Sequence, residues 1–329
     1  MGNRKLSEKQ RQRITENQSQ RFCDIDNDKP IDTSNCNGRI ISHFGRQLDV
    51  EILNGDNVGV VIRCHYRANL PTLVTGDLVK WEADTKDVGV IVSRSVRKNT
   101  FGRHDSNGTF KPVAANLNRV LIVFAVIPTT FMNLIDRYLV AVENLKIQPL
   151  LVLNKIDLFD NSKNKSTQKL LAMYKRIGYP IIEVSAETGQ GIYTLQKALS
   201  GQTTVLVGQS GVGKSSLINR LGLEKLTETA GLSKAKDKGV HTTTTSRLYH
   251  LETCDLIDSP GIREFSLSSM PAQNVLKGFR ELNEFSLACK YTDCRHGSEP
   301  GCAIQQAIKS GNISLDRFES YQHILNDLT

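Results

Sequence analysis

The chain has 329 residues, enough for two or three domains. Its 39% hydrophobic and 23% charged content suits a soluble globular protein, and no apolar run is long enough to span a bilayer. The formal net charge of +8 and pI near 9.1 favour a polyanionic partner, and Met1-Gly2-Asn3-Arg4-Lys5-Leu6 lacks the apolar segment of a signal peptide.

Residues 1–35 are rich in Gln, Asn, Asp, Ser and Arg and poor in large apolar groups. This composition predicts a disordered arm with a helical patch over residues 7–15. Its basic cluster, Arg4, Lys5, Lys9, Arg11 and Arg13, can either fold along RNA phosphates or act as a solubilising tail.

Residues 36–112 change pattern. Short alternating stretches at 38–44, 47–52, 58–64, 78–81 and 88–92 read as strands, separated by turn residues at Asn54-Gly55-Asp56-Asn57 and Thr75-Gly76-Asp77. Five such strands predict a small barrel of the OB-fold type, a common oligonucleotide binder. Candidate RNA contacts are Arg39, His43, Phe44, Arg46, Arg63, His65, Tyr66 and Arg67, with core packing the competing role for Phe44 and Tyr66. Residues 93–111, with Arg94, Arg97, Lys98, Arg103 and His104, read as a basic linker loop.

Residues 113–269 alternate strand and helix as a doubly wound parallel sheet does. A buried strand over 119–125 is followed by an amphipathic helix over 130–145 and a second buried strand over 149–153. That strand delivers Asn154-Lys155-Ile156-Asp157. At a strand end, the Asp157 carboxylate can accept two hydrogen bonds from N1–H and the exocyclic amine of guanine, a pair of donors that adenine does not offer. Asn154 is placed to bridge to a phosphate loop, and the Lys155 stem to cover the ring. A third strand over 181–184 ends in Ser185-Ala186, the small-residue turn that backs the base.

The strand over 203–207 leads into Gly208-Gln209-Ser210-Gly211-Val212-Gly213-Lys214-Ser215 and a helix beginning at Ser216. All fixed positions of G-x-x-x-x-G-K-[ST] are met in a strand–turn–helix context. Glycines let backbone N–H groups converge on one anion, and the helix N-terminus adds partial positive charge. Lys214 is predicted to reach the β- and γ-phosphates, and the Ser215 hydroxyl to hold Mg²⁺. Next comes the polar run Lys238-Gly239-Val240-His241-Thr242-Thr243-Thr244-Thr245, where a nucleotide switch belongs. One of its threonines, Thr243 or Thr244 among them, can complete the Mg²⁺ shell. A strand over 254–257 then delivers Asp258-Ser259-Pro260-Gly261, a D-x-x-G box in which Asp258 orients a water on Mg²⁺ and the Gly261 N–H touches the γ-phosphate.

Ordinary GTPases run phosphate loop, Thr switch, D-x-x-G, N-K-x-D, S-A. Here the last two boxes come first, so the domain is circularly permuted. Domain termini that lie close together at the surface make such a rotation tolerable.

Residues 270–329 carry Cys289, Cys294, His296 and Cys302 as C-x₄-C-x-H-x₅-C. Three thiolates and an imidazole make a closed four-coordinate shell of the kind used for one structural zinc. A module of about sixty residues has a marginal core of its own, so metal binding would contribute to its folding. The scattered Cys23, Cys36, Cys64 and Cys254 read as free thiols of a reducing cytosol.

The permuted order, the loop over 208–215, His241-Thr242-Thr243-Thr244, Asp258-Ser259-Pro260-Gly261 and the cysteine cluster together resemble the RsgA (YjeQ) family. The resemblance runs from about residue 36 to the C-terminus. It implies a cytoplasmic, monomeric bacterial GTPase acting on the small ribosomal subunit and 16S rRNA, with subunit-stimulated hydrolysis of GTP to GDP and phosphate. It also implies a role in late subunit maturation and in the departure of other assembly factors. Two positions depart from common GTPase patterns. Ile262 stands where many carry a water-orienting glutamine, which leaves His241 as the candidate catalytic residue. Gly211 stands where some glutamine-lacking GTPases carry a potassium-binding Asn, so no loop-Asn potassium site is expected. An RNA-binding scaffold with GTP-regulated affinity, or a GTPase acting on another RNA, are the alternative readings.

Overall fold

The computed structural model describes residues 33–45, 47–68, 70–85, 88–104, 109–222, 246–259, 267 and 270–328. The N-terminal helical patch, Cys23, Arg46, the switch residues 238–245 and residues 260–266 lie outside these. Contacts divide the chain into two compact units, one within Met1–Leu73 and Asp77–Arg97, the other within Val74–Gly76 and Lys98–Thr329.

The first unit is a five-stranded barrel. Its strands are β1 (Gly38–Phe44), β2 (Gln47–Ile52), β3 (Val61–Tyr66), β4 (Leu78–Ala83) and β5 (Val88–Arg94). β1, β2 and β3 form an antiparallel meander, β3 pairs with β5 in parallel, and β5 pairs with β4. β4 closes the ring on β1 through Gly38 opposite Val79 and Arg39 opposite Leu78. The order 1-2-3-5-4-1 is that of an OB-fold. Ile40, Leu48, Val50, Cys64, Leu73, Val79 and Ile91 fill the interior, with Trp81 and Tyr66 packed at its margin. Gly38 is required at the seam, because a Cβ there would sit 2.5 Å from Val50 and 2.7 Å from Trp81. Asn37 secures the same seam by donating to the Trp81 carbonyl and accepting from its N–H, both at 2.9 Å.

β3 begins at Val61 rather than at residue 58. Gly59 adopts φ +84° and its N–H bonds back to the Ile52 carbonyl at 2.9 Å, so the hairpin is still turning through Val58 and Val60. The expected linker loop over 93–111 is also corrected: it contains β6 (Thr100–His104), which pairs antiparallel with β7 (Phe110–Ala115). The sequence masks this hairpin with glycine and proline at Gly102 and Pro112, where the ladder carries a bulge.

The second unit holds a six-stranded sheet in the order β10-β9-β8-β11-β13-β12. Its strands are β8 (Arg119–Ala125), β9 (Gln148–Asn154), β10 (Ile181–Glu183), β11 (Thr203–Val207), β12 (Arg247–His250) and β13 (Asp255–Asp258). The first five in that order are parallel, and β12 returns antiparallel along β13. β8 and β9 are buried nearly end to end, which is why they read as continuous apolar runs rather than alternating ones. Helices α1 (Met132–Asn144), α2 (Lys165–Ile177), α3 (Ile192–Leu199) and α4 (Lys214–Leu221) make the crossovers. One core joins Leu121, Val123, Leu150, Val152, Leu206, Leu217 and Leu256.

After residue 270 the chain is helical: α5 (Ala272–Lys277), α6 (Arg280–Ser286), α7 (Ala303–Lys309) and α8 (Leu315–Asn326). α1 packs against both α5 and α8 as well as the sheet.

Candidate functional site

The carboxyl ends of β8, β9, β11 and β13 converge, as the register of the parallel sheet requires. Leu206 lies opposite Asp258, and Val207 opposite Ile122. Ligands of doubly wound sheets bind at this edge. The phosphate loop leaves β11 at Gly208, whose φ is +144° and whose absent Cβ would fall 2.1 Å from the Val123 carbonyl. Gln209, Ser210 and Gly211 form the exposed or half-buried rim, while Val212 is buried in the core. Gly213 then starts α4. Its carbonyl accepts from the Leu217 N–H at 2.9 Å, and Ser215 and Ser216 stand exposed on the first turn. The Lys214 ammonium donates to the carbonyls of Gly208 and Gln209, each at 2.8 Å, so the lysine arches over its own loop.

Asn154 is 1% exposed and bonds in two directions. Its Nδ2 donates to the Val212 carbonyl at 2.9 Å, and its Oδ1 accepts from the Ala186 N–H at 3.1 Å. The box at the end of β9, the phosphate loop after β11 and the Ser185-Ala186 turn therefore share one side chain, despite their reversed chain order. Gly213 is hemmed in by the same residue, since a Cβ there would lie 2.5 Å from Asn154 Nδ2. Lys155 takes a left-handed φ of +63° and donates from Nζ to the carbonyls of Ile127 (2.8 Å) and Gly211 (2.7 Å). Ile156 and Asp157 sit on a 3-10 turn, with Asp157 exposed; its Oδ1 accepts from the buried Ser185 hydroxyl at 2.5 Å. That bond orients the carboxylate.

Asp258 is held above the ordinary carboxylate range by burial, partly offset by the Lys214 charge. Ser259 beside it is buried and donates to the Leu206 carbonyl at 3.0 Å. The exposed Ser215 hydroxyl and the Asp258 carboxylate are oxygen donors of the type that Mg²⁺ takes. The candidate residues His241, Thr243, Thr244 and Gly261 lie outside the described residues.

Two contributors to the loop were not singled out in the sequence. Ser259 reads there as a spacer within D-x-x-G. Tyr138, 1% exposed on α1, has its hydroxyl pushed up by burial, with the Gly208 backbone offsetting part of that. Its only sequence signal is a tyrosine on the apolar side of an amphipathic helix.

At the C-terminal cluster the ligand atoms of Cys289, Cys294, His296 and Cys302 all lie within 4.8 Å of one another. His296 Nδ1 is 3.6 Å from the Cys289 sulfur and 3.7 Å from that of Cys302. A tetrahedral ion with metal–sulfur bonds of about 2.3 Å and a metal–nitrogen bond of about 2.0 Å sets such pairs roughly 3.5 Å apart. The cluster thus has the dimensions of a metal site. Its chemistry agrees. Burial keeps His296 below its usual value and therefore neutral, and burial with the neighbouring Cys302 and Cys289 thiols pushes the Cys294 thiol up to about 11. Such crowded thiols ionise together only around a cation. The turn is fixed by His296 at φ +61°, by Gln305 donating to the His296 carbonyl at 2.8 Å, and by Glu299 accepting from the Arg295 N–H at 3.1 Å.

The other described cysteines are not in disulfides. Cys64 and Cys254 are buried, and burial raises each thiol to about 11. Among the barrel's candidate RNA contacts, Arg39 is paired with Glu51 at 3.0 Å and Arg63 with Asp49 at 2.5 Å. Phe44 is 45% exposed under the Arg63 guanidinium, so it is not core, whereas Tyr66 packs against the core. His65 and Arg67 are exposed, and His43 is half-buried. Arg97, expected in the basic linker, instead grips the buried Asp77 with two bonds of 2.6 and 2.7 Å.

The family model described as RsgA GTPase matches residues 94–268. The small ribosomal subunit biogenesis GTPase RsgA of Azotobacter vinelandii is 51% identical over 293 residues, covering 89% of this chain and 85% of that one. This chain belongs to the RsgA GTPase family. The like-named protein of Pseudomonas syringae pv. tomato is 49% identical over 292 residues, 88% of this chain and 85% of its own. Two solved structures share the RsgA architecture. YjeQ from Thermotoga maritima superposes with a TM-score of 0.70 at 29% identity, covering 88% of this chain and 97% of its own. YloQ, described as a circularly permuted GTPase, gives 0.67 at 26% identity, covering 88% and 94%. The chain is accordingly a GTP-hydrolysing enzyme with a barrel, a permuted GTPase fold and a helical C-terminal region bearing a Cys₃His group that could hold a metal.

Proposed function

We propose that this chain binds the small ribosomal subunit through 16S rRNA, hydrolyses GTP there, and acts in a late step of subunit maturation that lets other assembly factors leave. The observation that carries the nucleotide half of this reading is the pair of hydrogen bonds that Asn154 makes, to the Val212 carbonyl and from the Ala186 N–H, which draws a base box and a phosphate cup together. The names of the relatives support the ribosomal half. Its parts are a basic arm over 1–35, the barrel within 36–112, the GTPase domain over 113–269 and a zinc domain over 270–329. The protein works as a monomer in the cytoplasm; no helix of the described residues is long and apolar enough to cross a membrane.

In this reading Asp157 accepts from the guanine edge, with Ser185 fixing its orientation and Ala186 backing the base. Asn154, Lys155 and Ile156 hold the base box against the loop. Backbone N–H groups from Gly208 to Ser216 receive the phosphates, and Lys214 turns from its loop carbonyls to the β- and γ-oxygens. Ser215, Asp258 and Thr243 or Thr244 are the residues that would hold Mg²⁺, which when bound neutralises charge on the β- and γ-phosphates. The Gly261 N–H meets the γ-phosphate. His241 orients the attacking water; the phosphorus–oxygen bond to the β-phosphate breaks as the water oxygen bonds to the γ-phosphorus, giving GDP and phosphate. Ile262 offers no polar group for that task, so turnover by the isolated protein is slow and subunit binding stimulates it. Cys289, Cys294, His296 and Cys302 hold one structural zinc.

The test is GTP hydrolysis with and without purified small subunits, together with sedimentation of the protein with the subunits in each nucleotide state. Strong stimulation and nucleotide-dependent co-sedimentation are expected. A His241→Ala variant should bind GTP, fail to hydrolyse it and stay on the subunit. Equal rates with and without subunits, or a histidine variant indistinguishable from wild type, would move the reading to an RNA-binding scaffold.

A further inference from the structure

Residues 74–76 lie in the chain between Leu73, part of the barrel core, and β4, yet they group with the second compact unit and not with the barrel. The backbone there is clamped to the end of β7. The Thr75 carbonyl accepts from the Ala115 N–H at 3.0 Å, and Thr75 makes a parallel bridge with Ala114. The Gly76 carbonyl accepts from Asn116 Nδ2 at 2.9 Å. Gly76 has φ +93°, and a Cβ on it would sit 2.3 Å from the Ala115 carbonyl oxygen, so the turn has no room to shift toward β7.

Thr75 is 1% exposed, and its hydroxyl donates to the Ser246 carbonyl at 3.1 Å, across 171 positions of chain. Ser246 stands immediately before β12 and immediately after Thr245, the last of the threonines read as a switch. The next residue, Arg247, lies opposite Asp258 in the β12–β13 ladder. The bond therefore fixes the backbone one residue from the register pair that carries the D-x-x-G carboxylate. Two residues after Thr75, Asp77 is committed to the barrel. Its carbonyl accepts from the Ile40 N–H of β1 at 2.9 Å, and its carboxylate, 0% exposed, holds Arg97. Three consecutive residues thus carry one anchor in the barrel and one at the approach to Asp258.

We propose that Thr75 is a positioning residue for GTP hydrolysis, its bond to Ser246 setting the backbone beside Asp258 where the threonine run ends, and so making hydrolysis responsive to RNA on the barrel. Coupling between two sites needs a physical path that both ends bias. Here the path is Asp77, Gly76, Thr75 and Ser246. The inference rests on the reading of the barrel as the RNA-binding part and of Asp258 and the threonine run as the hydrolytic part.

The test is GTP hydrolysis by the full-length protein, alone and with purified small subunits, for wild type, Thr75→Val and Thr75→Ser. Valine keeps the shape of threonine and removes the donor, while serine keeps the donor. For Thr75→Val the ratio of subunit-stimulated to unstimulated rate is expected to fall about fivefold, the scale of one hydrogen bond. The loss is expected in kcat, with KM for GTP and co-sedimentation with the subunit kept, and Thr75→Ser is expected to retain the wild-type ratio. A bond that only stabilises the fold would lower the melting temperature of Thr75→Val and leave the ratio at its wild-type value. That result, or a Thr75→Ser variant as impaired as Thr75→Val, would overturn the inference. If Thr75→Val does not fold, Thr75→Ala takes its place with the same expectation. If wild type is not stimulated by subunits, the ribosomal reading falls and the inference with it. If wild type is stimulated and Thr75→Val equally so, only the inference falls.

Discussion

Lys155 donates from its ammonium to the Gly211 carbonyl at 2.7 Å, tying the residue after Asn154 to the rim of the phosphate loop 56 positions later. A second bond of 2.8 Å reaches the Ile127 carbonyl, so one cation braces two loops. Lys155→Met keeps an apolar stem able to cover a base but removes both bonds. GDP affinity should fall about three- to tenfold, the scale of one or two exposed hydrogen bonds, with the preference for guanine over adenine unchanged. Calorimetric titration of the variant with GDP and ADP checks this.

In the proposed function Asp157 reads the base, and its Oδ1 accepts from the Ser185 hydroxyl at 2.5 Å. Asp157→Asn exchanges one acceptor oxygen for a donor amide, so guanine's amine meets a donor and xanthine's 2-oxo group gains one. GTP affinity should drop by a factor of roughly 10³ or more, and xanthosine triphosphate should become the better ligand. Competition binding with the two triphosphates reads the switch directly.

Burial holds Asp258 above its ordinary carboxylate value of 3.8 in the folded protein, with Lys214 offsetting part of that. The folded state therefore retains this proton more tightly than the unfolded chain. Its contribution to stability is present in acid and is lost as pH rises from about 4 through the raised folded-state value. At neutral pH the ionised carboxylate is locally destabilising. Asp258→Asn should raise the melting temperature by roughly 1–3 °C near pH 7, a gain that vanishes near pH 4, while GTP hydrolysis falls about a hundredfold or more. Thermal melts across pH and a phosphate-release assay test the two halves separately.

The Cys₃His cluster fits a tetrahedral ion in its dimensions, with 3.6 and 3.7 Å between His296 and two sulfurs. Cys302 also begins α7, so losing the metal should loosen that helix. Cys302→Ser should abolish retention of one zinc per chain and lower the melting temperature by several degrees, as loss of a folding-coupled metal does. Metal analysis of the purified protein, with a chelator melt of wild type, measures both.

The nucleotide boxes were legible because each is a short string whose chemistry depends on local backbone: glycines at a strand–helix turn, an Asn and an Asp after a buried strand. The barrel was legible from strand count and turn residues, and the permutation from box order alone. Arg317 was not, because a lone arginine on an amphipathic helix reads as a solvated group until Asp136 and Glu281 arrive from helices far away in sequence. The β6–β7 hairpin was hidden by Gly102 and Pro112, residues that usually break strands and here mark a bulge. Arg97 read as a free cation because its partner Asp77 sits in a turn whose burial only the closed barrel creates.

Calorimetric titration of the full-length protein with GDP and with ADP asks whether boxes in permuted order build one guanine-nucleotide pocket. Saturable one-to-one binding of GDP and no measurable binding of ADP are expected. Equal affinity for both, or binding of neither, would contradict it.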